Sequence, residues 1–227
     1  MATKKESPSI TKVEIPAPKL EQFTLKIVGD TPLICHRWAE KAKREILGKQ
    51  QKKATTAKEI RRPMYEFAES LYWLSEKPNL EGLTDEECQK VLAEVIPHSK
   101  FGFPVRAFKS AALDAGFQQG ILKRNAGTND LAKTTARGAI LIQGEFAVIE
   151  GTPTPREDMV RIGQGTADLR FRGEFKEWRT ELLITYLANT LSVAQIVNLF
   201  MFAGFSNGIG EWRPAKEGSY GTFHVEL

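Results

Sequence analysis

Cysteine and histidine are scarce in this chain of 227 residues. There are two cysteines, Cys35 and Cys88, and three histidines, His36, His98 and His224. Two cysteines cannot build a disulfide framework, and apart from the adjacent Cys35-His36 pair neither has a partner at metal-ligand spacing. No metal site is expected, and no cofactor. No apolar run approaches the roughly 18 residues needed to span a bilayer. The longest, near Ile196–Phe205, is interrupted by Asn198. The opening segment MATKKESPSITKVEIPAPK has no apolar leader core. The expectation is therefore a cytoplasmic protein with reduced thiols and no membrane partner. There is no nucleophile elbow, no phosphate-binding Walker loop and no acidic cluster of metal type. Internal repeats and low-complexity tracts are absent too.

What is present is a soluble-protein composition, 41% hydrophobic and 26% charged, with an uneven charge. Residues 1–62 hold 15 Lys and Arg against 7 Asp and Glu, whereas the remaining residues hold 17 against 21. A net charge of +4 thus hides a basic N-terminal third and a mildly acidic remainder. That asymmetry points to a polyanionic partner.

Along the chain, residues 1–20, with Pro8, Pro16 and Pro18, read as an extended arm. Gln22–Val28 alternates and ends at Gly29-Asp30, a strand and turn. Trp38–Arg62 is rich in Lys, Arg and Gln, and reads as a solvated helix or insert. Met64–Leu74 has a helical stripe. Asp85–Val95 is a helix with Thr84 and Glu87 as capping box. Val105–Phe117 is a third helix, opened by Pro104 at its first position.

Gln118–Gly138 reads as a long polar loop bearing Lys123, Arg124, Lys133 and Arg137. Ala139–Ile142 and Phe146–Ile149 are strands. Gly151–Gly173 reads as irregular, with Arg156, Arg161, Arg170 and Arg172 beside Glu157, Asp158 and Asp168. Lys176–Leu187 is a strand, Ser192 caps a helix running to Ala203, and Tyr220–Val225 is a last strand.

Setting the helical insert at 38–100 aside, the order is strand, helix, strand, strand, helix, strand. This is the order of an α+β, ferredoxin-like (RRM-like) fold. It predicts one domain over 21–227 with a four-stranded antiparallel sheet.

The segment from Ala203 onward is the most distinctive. It places Gly204, Gly208, Gly210, Gly218 and Gly221 between a helix and the terminal strand, with Trp212, Arg213 and Pro214 in the middle. Such a loop either turns the backbone sharply or exposes N–H groups to an anion. A guanidinium beside an indole suits a phosphate and a stacked base. Arg170-Phe171-Arg172 has the same character, and so do Lys100–Phe103 and Trp178-Arg179, although Phe103 and Trp178 fit a core better than a binding surface.

The pattern Ala203-Gly204 through Asn207-Gly208-Ile209-Gly210 to Gly218, Gly221 and the closing strand resembles the glycine-rich loop of the RAMP superfamily. That superfamily includes the backbone subunits that coat guide RNA in CRISPR effector complexes. The first strand followed by Thr31-Pro32-Leu33-Ile34 is similar to its opening strand and turn. In style the chain looks like a bacteriophage or mobile-element relative. The resemblance implies a modified RNA-recognition-motif fold with a thumb-like loop, somewhere within 144–173. It implies a protein that oligomerises along single-stranded RNA or DNA through a sequence-independent grip on phosphates, with other subunits of a nucleoprotein complex as further partners. The nucleic-acid-binding residues expected are Gly208, Gly210, Trp212, Arg213, Arg161, Arg170, Phe171, Arg172, Lys123, Arg124, Lys133 and Arg137. Glu211 within the loop would oppose a phosphate. Two rival readings remain. One is a self-assembling structural protein without nucleic acid. The other is a metal-independent RNA endonuclease using His36, beside Arg37, as general base.

Overall fold

The computed structural model describes residues 17–38, 47–48, 50–51, 61–124, 130–162 and 165–226. Most of the expected N-terminal arm, and most of the Lys-rich stretch after Trp38, lie outside the described residues.

The central sheet is built from β1 (Leu20–Gly29), β7 (Ile140–Ile142), β11 (Arg179–Leu187) and β12 (Phe223–Glu226). Its spatial order is β12-β1-β11-β7, and every neighbouring pair is antiparallel. Alternation gives it one buried face, with Leu25, Ile27, Leu182, Ile184, Phe223 and Val225 pointing inward. Two helices cover that face, α3 (Val105–Gln118) and α5 (Val193–Ser206). Gly116 lets them approach closely, since a Cβ there would lie 2.3 Å from Leu199 Cδ2. Gly204 does the same for α5 and β12, where a Cβ would meet the Phe223 carbonyl oxygen at 1.8 Å. The sheet's other face is open, with Gln22, Thr24, Lys26 and Glu181 exposed beside Leu20, Leu141 and Leu183.

The helices begin where local chemistry says they should. In α2 (Asp85–Val95) Thr84 and Glu87 form the expected capping box, and Ser192 with Gln195 forms another at α5. Pro104 stands one place earlier than expected, as N-cap of α3.

Three segments depart from the sequence reading. The helix expected over Met64–Leu74 is α1 (Pro63–Ser70) and ends earlier. Tyr72 and Trp73 form β3 (Tyr72–Trp73) instead, paired with β4 (Phe101–Pro104), because their rings pack on Phe103 and Phe101. The expected polar loop 118–138 contains β5 (Leu122–Lys123), β6 (Leu131–Ala132) and α4 (Lys133–Ala139), which buries Ala136 and Ala139. The stretch read as irregular, 151–173, is a long hairpin of β9 (Pro153–Ile162) and β10 (Thr166–Phe175). It is joined by β2 (Leu33–Cys35) in a second sheet, and β8 (Phe146–Ile149) completes a third with β4 and β3. The hairpin escapes a hydrophobic-alternation test because ion pairs, not aliphatic side chains, line much of one face.

Candidate nucleic-acid interface

On that face, register places Arg172 opposite Arg156, Arg170 opposite Asp158 and Glu174 opposite Thr154. Arg156 donates to Asp158 at 2.9 Å, to Glu174 at 2.6 Å and to the Tyr220 hydroxyl at 3.2 Å. Its guanidinium also stacks over the Tyr220 ring. Burial opposes the charge of Arg156, but the bonds to Tyr220, Glu174 and Asp158 outweigh it and hold the guanidinium above its usual pKa. Tyr220 belongs to the glycine-rich segment, so this bond ties the hairpin to it. Arg156, Glu174 and Tyr220 were not among the residues expected at the site. Their signal was cross-strand pairing, which needs the register.

The glycine loop is used mainly by the chain itself. Gly208 and Gly210 have φ of +60° and +80°, a region that favours glycine. A Cβ on Gly210 would sit 2.6 Å from the Ile34 carbonyl oxygen. The amides of Gly208, Ile209, Glu211, Gly218, Tyr220 and Gly221 donate to Ala203, Gly221, Ile34, Arg213, Trp212 and Pro32 respectively. An anion at this loop therefore meets side chains more than an amide cradle. Trp212, at φ +51°, is 39% exposed.

Hairpin and loop enclose a cleft of about 370 Å3, lined by Val160, Arg161, Arg170, Arg172, Glu211, Trp212, Arg213 and Lys216. Five cations face one carboxylate. Arg170 is paired with Asp168, and Arg172 with Asp158. Arg213 bonds the Gly210 carbonyl at 2.8 Å. Arg161 and Lys216 are exposed and make no ion pair among the described residues. Arg172 is 5% exposed, and its Nε has no hydrogen-bond partner among the described residues. A buried donor without an acceptor costs on the order of 1–3 kcal/mol and calls for an explanation. Glu211 is turned to His36, with Oε1 3.3 Å from Nδ1. That hydrogen bond, with the nearby Arg172 and Arg213, holds its carboxyl below the usual range although burial pushes the other way.

No protein-family model and no curated protein matches the sequence. The chain is similar in structure to Cmr6 from Pyrococcus furiosus. The TM-score is 0.36 at 12% identity, over 92% of this chain and 99% of that one. A chain of a CRISPR RNA-guided surveillance complex matches at a TM-score of 0.34 and 10% identity, over 90% of this chain and 67% of that one. Likeness at this level assigns neither function nor partner.

The remaining expected residues fall elsewhere. Phe171 is partly buried, with Arg61 5.7 Å from its ring centre. Lys123, Arg124, Lys133 and Arg137 are not on the cleft wall. They belong to β5, α4 and the turn after β5, beside α3, where Lys133 pairs with Asp114. Lys216, which lines the cleft, had no motif around it to mark it out. Among the described residues no group of three or more His, Cys, Asp or Glu is placed to hold a metal. None of the helices among them is long and apolar enough to cross a membrane.

Proposed function

We propose that this chain binds single-stranded nucleic acid by its phosphates, in the cleft between the β9–β10 hairpin and the glycine loop. The observation that carries the reading is the placement of Arg161, Lys216 and Arg213 around an exposed Trp212. Two of these cations have no ion-pair partner among the described residues, and an indole beside them offers a stacking surface. Arg172 adds a buried guanidinium to the same wall. The hairpin acts as the thumb, and the grip on the backbone is sequence-independent, because none of these cations needs a base edge to act on.

The core is ferredoxin-like and RRM-like. Its support is the sheet order β12-β1-β11-β7 with α3 and α5 as the two crossovers. Subunits line up along the strand, and other proteins of a nucleoprotein complex join them. The test is a titration of labelled single-stranded RNA and DNA oligomers at two salt concentrations. Binding weakened by salt and cooperative with strand length supports the proposal, and absence of binding at low salt overturns it.

One observation favours a second reading, self-association without nucleic acid. Phe205 on α5 is 86% exposed, with Met201 and Phe202 also exposed beside it. Large exposed apolar groups in one patch mark interaction surfaces. Sedimentation of the protein free of nucleic acid, with Phe205→Ser for comparison, separates the two.

A further inference from the structure

Glu211 and Arg213 line a second cleft as well as the first. The second cleft is larger, about 570 Å3, within the size range of small-ligand pockets. Aromatic rings form part of its lining. Tyr72 packs edge-on against Phe103 and tilted against Phe146, each at 5.6 Å between ring centres. Tyr72 is part of that lining, and its hydroxyl has no hydrogen-bond partner among the described residues.

Charged groups complete the lining. Two of its carboxylates are already committed, Asp114 to Lys133 and Glu211 to His36. Arg106 and Glu145 are not. Both are exposed, and neither makes an ion pair among the described residues. Their backbones are close, because the Val105 N–H, next to Arg106, donates to the Glu145 carbonyl oxygen at 3.0 Å. An aromatic wall, a free acceptor and a free donor fork are what a planar heterocycle with both kinds of edge requires.

We infer that this second cleft receives one base of the bound strand, and that it selects guanine. The inference rests on the first cleft's holding the strand's phosphates. A nucleotide held at Arg213 has its base within reach of the second cleft, because Arg213 lines both clefts. Guanine turns two adjacent N–H donors, N1–H and the 2-amino group, toward a single carboxylate, and Glu145 accepts both. Its O6 and N7 are acceptors for the Arg106 fork. Adenine and cytosine each set a ring-nitrogen acceptor beside their amino group, which a carboxylate repels. Uracil sets its one N–H between two carbonyl oxygens. Stacking on the aromatic wall offsets the loss of stacking in the strand.

The experiment compares a short oligouridine RNA and an oligothymidine DNA, each plain or carrying one central guanine, by fluorescence anisotropy with wild-type protein and the Glu145→Gln variant. The expected result is about tenfold tighter binding of the guanine-bearing strand by the wild type, the discrimination of one good bidentate base contact. The variant then binds the two strands equally. Its side chain is exposed and makes no ion pair among the described residues, so folding is not at issue. Salt-sensitive binding of both strands with equal affinity by the wild type overturns the base site and leaves the phosphate cleft standing. A guanine preference that persists in Glu145→Gln overturns the site as assigned. Binding of neither strand overturns both.

Discussion

Arg172 and Asp158 form an ion pair across the hairpin, with Nη1 3.2 Å from Oδ2 and side chains only 6% and 10% exposed. Asp158 also accepts from Arg156, which in turn holds Glu174 and Tyr220. A two-stranded ribbon is marginal on its own. Here it is fastened to the glycine segment by charge and hydrogen bonds, so the cations on its cleft side have a fixed place relative to Trp212 and Arg213.

Asp158→Asn keeps the shape and removes the charge. It leaves two partly or wholly buried guanidinium groups short of a carboxylate. Breaking one side of such a buried pair costs about 3 kcal/mol. Urea unfolding should show a loss of that order. A loss below about 1 kcal/mol would place the pair among those that contribute little.

Arg161→Ala and Lys216→Ala remove exposed cations that make no ion pair within the described fold. Neither should change the unfolding midpoint. Each should lower the slope of log affinity against log salt by about 0.7, the value for one phosphate contact on a single strand. An unchanged slope in both would take the strand out of this cleft.

Two glycines should respond in opposite directions. Gly221 has φ of +66°, and a Cβ there would lie 1.8 Å from the Ile209 carbonyl oxygen, so Gly221→Ala must push the backbone apart. A loss of several kcal/mol, or failure to fold, is expected. Gly138 lies in α4 with nothing within 4 Å of its Cβ position. Gly138→Ala should stabilise by about 0.5–1 kcal/mol through helix propensity alone. Thermal unfolding of the pair checks both signs.

The ionised Glu211 carboxylate stabilises the fold because its native pKa is held down, first by His36 and then by Arg172 and Arg213. A depressed native pKa contributes stability above the ordinary glutamate value of about 4.3, and the contribution fades as pH falls through the lower native value. Glu211→Gln should therefore be less stable than wild type at neutral pH, with the gap closing below about pH 4. The same variant removes the one carboxylate that lines the cleft among the described residues, so at neutral pH it should bind single strands more tightly. Stability and binding moving in opposite directions is the signature to look for.

Much of the core was readable from order and period. The alternation of Gln22–Val28 and of the strand before Leu187, the capping box at Thr84 and the cap at Ser192 all signal their own ends. Each depends on residues within a few positions of one another. The hairpin was not readable for the same reason in reverse. Its inner side carries Arg156, Asp158, Arg172 and Glu174, and such residues look like loop until their partners on the other strand are known. Tyr72 and Trp73 left the helical pattern because rings far away in sequence, Phe101 and Phe103, offered them a better place.

The sequence alone determined which residues could serve a polyanion: Arg161, Arg170, Arg172, Trp212 and Arg213 stand out by type and neighbourhood. Only the tertiary structure decided that these five share one wall with Lys216, while Lys123, Arg124, Lys133 and Arg137 lie elsewhere. It also decided that the glycines serve close packing. Residue type is written in the chain, but convergence depends on strand register and on the Arg156–Tyr220 contact, both of which join segments far apart along it.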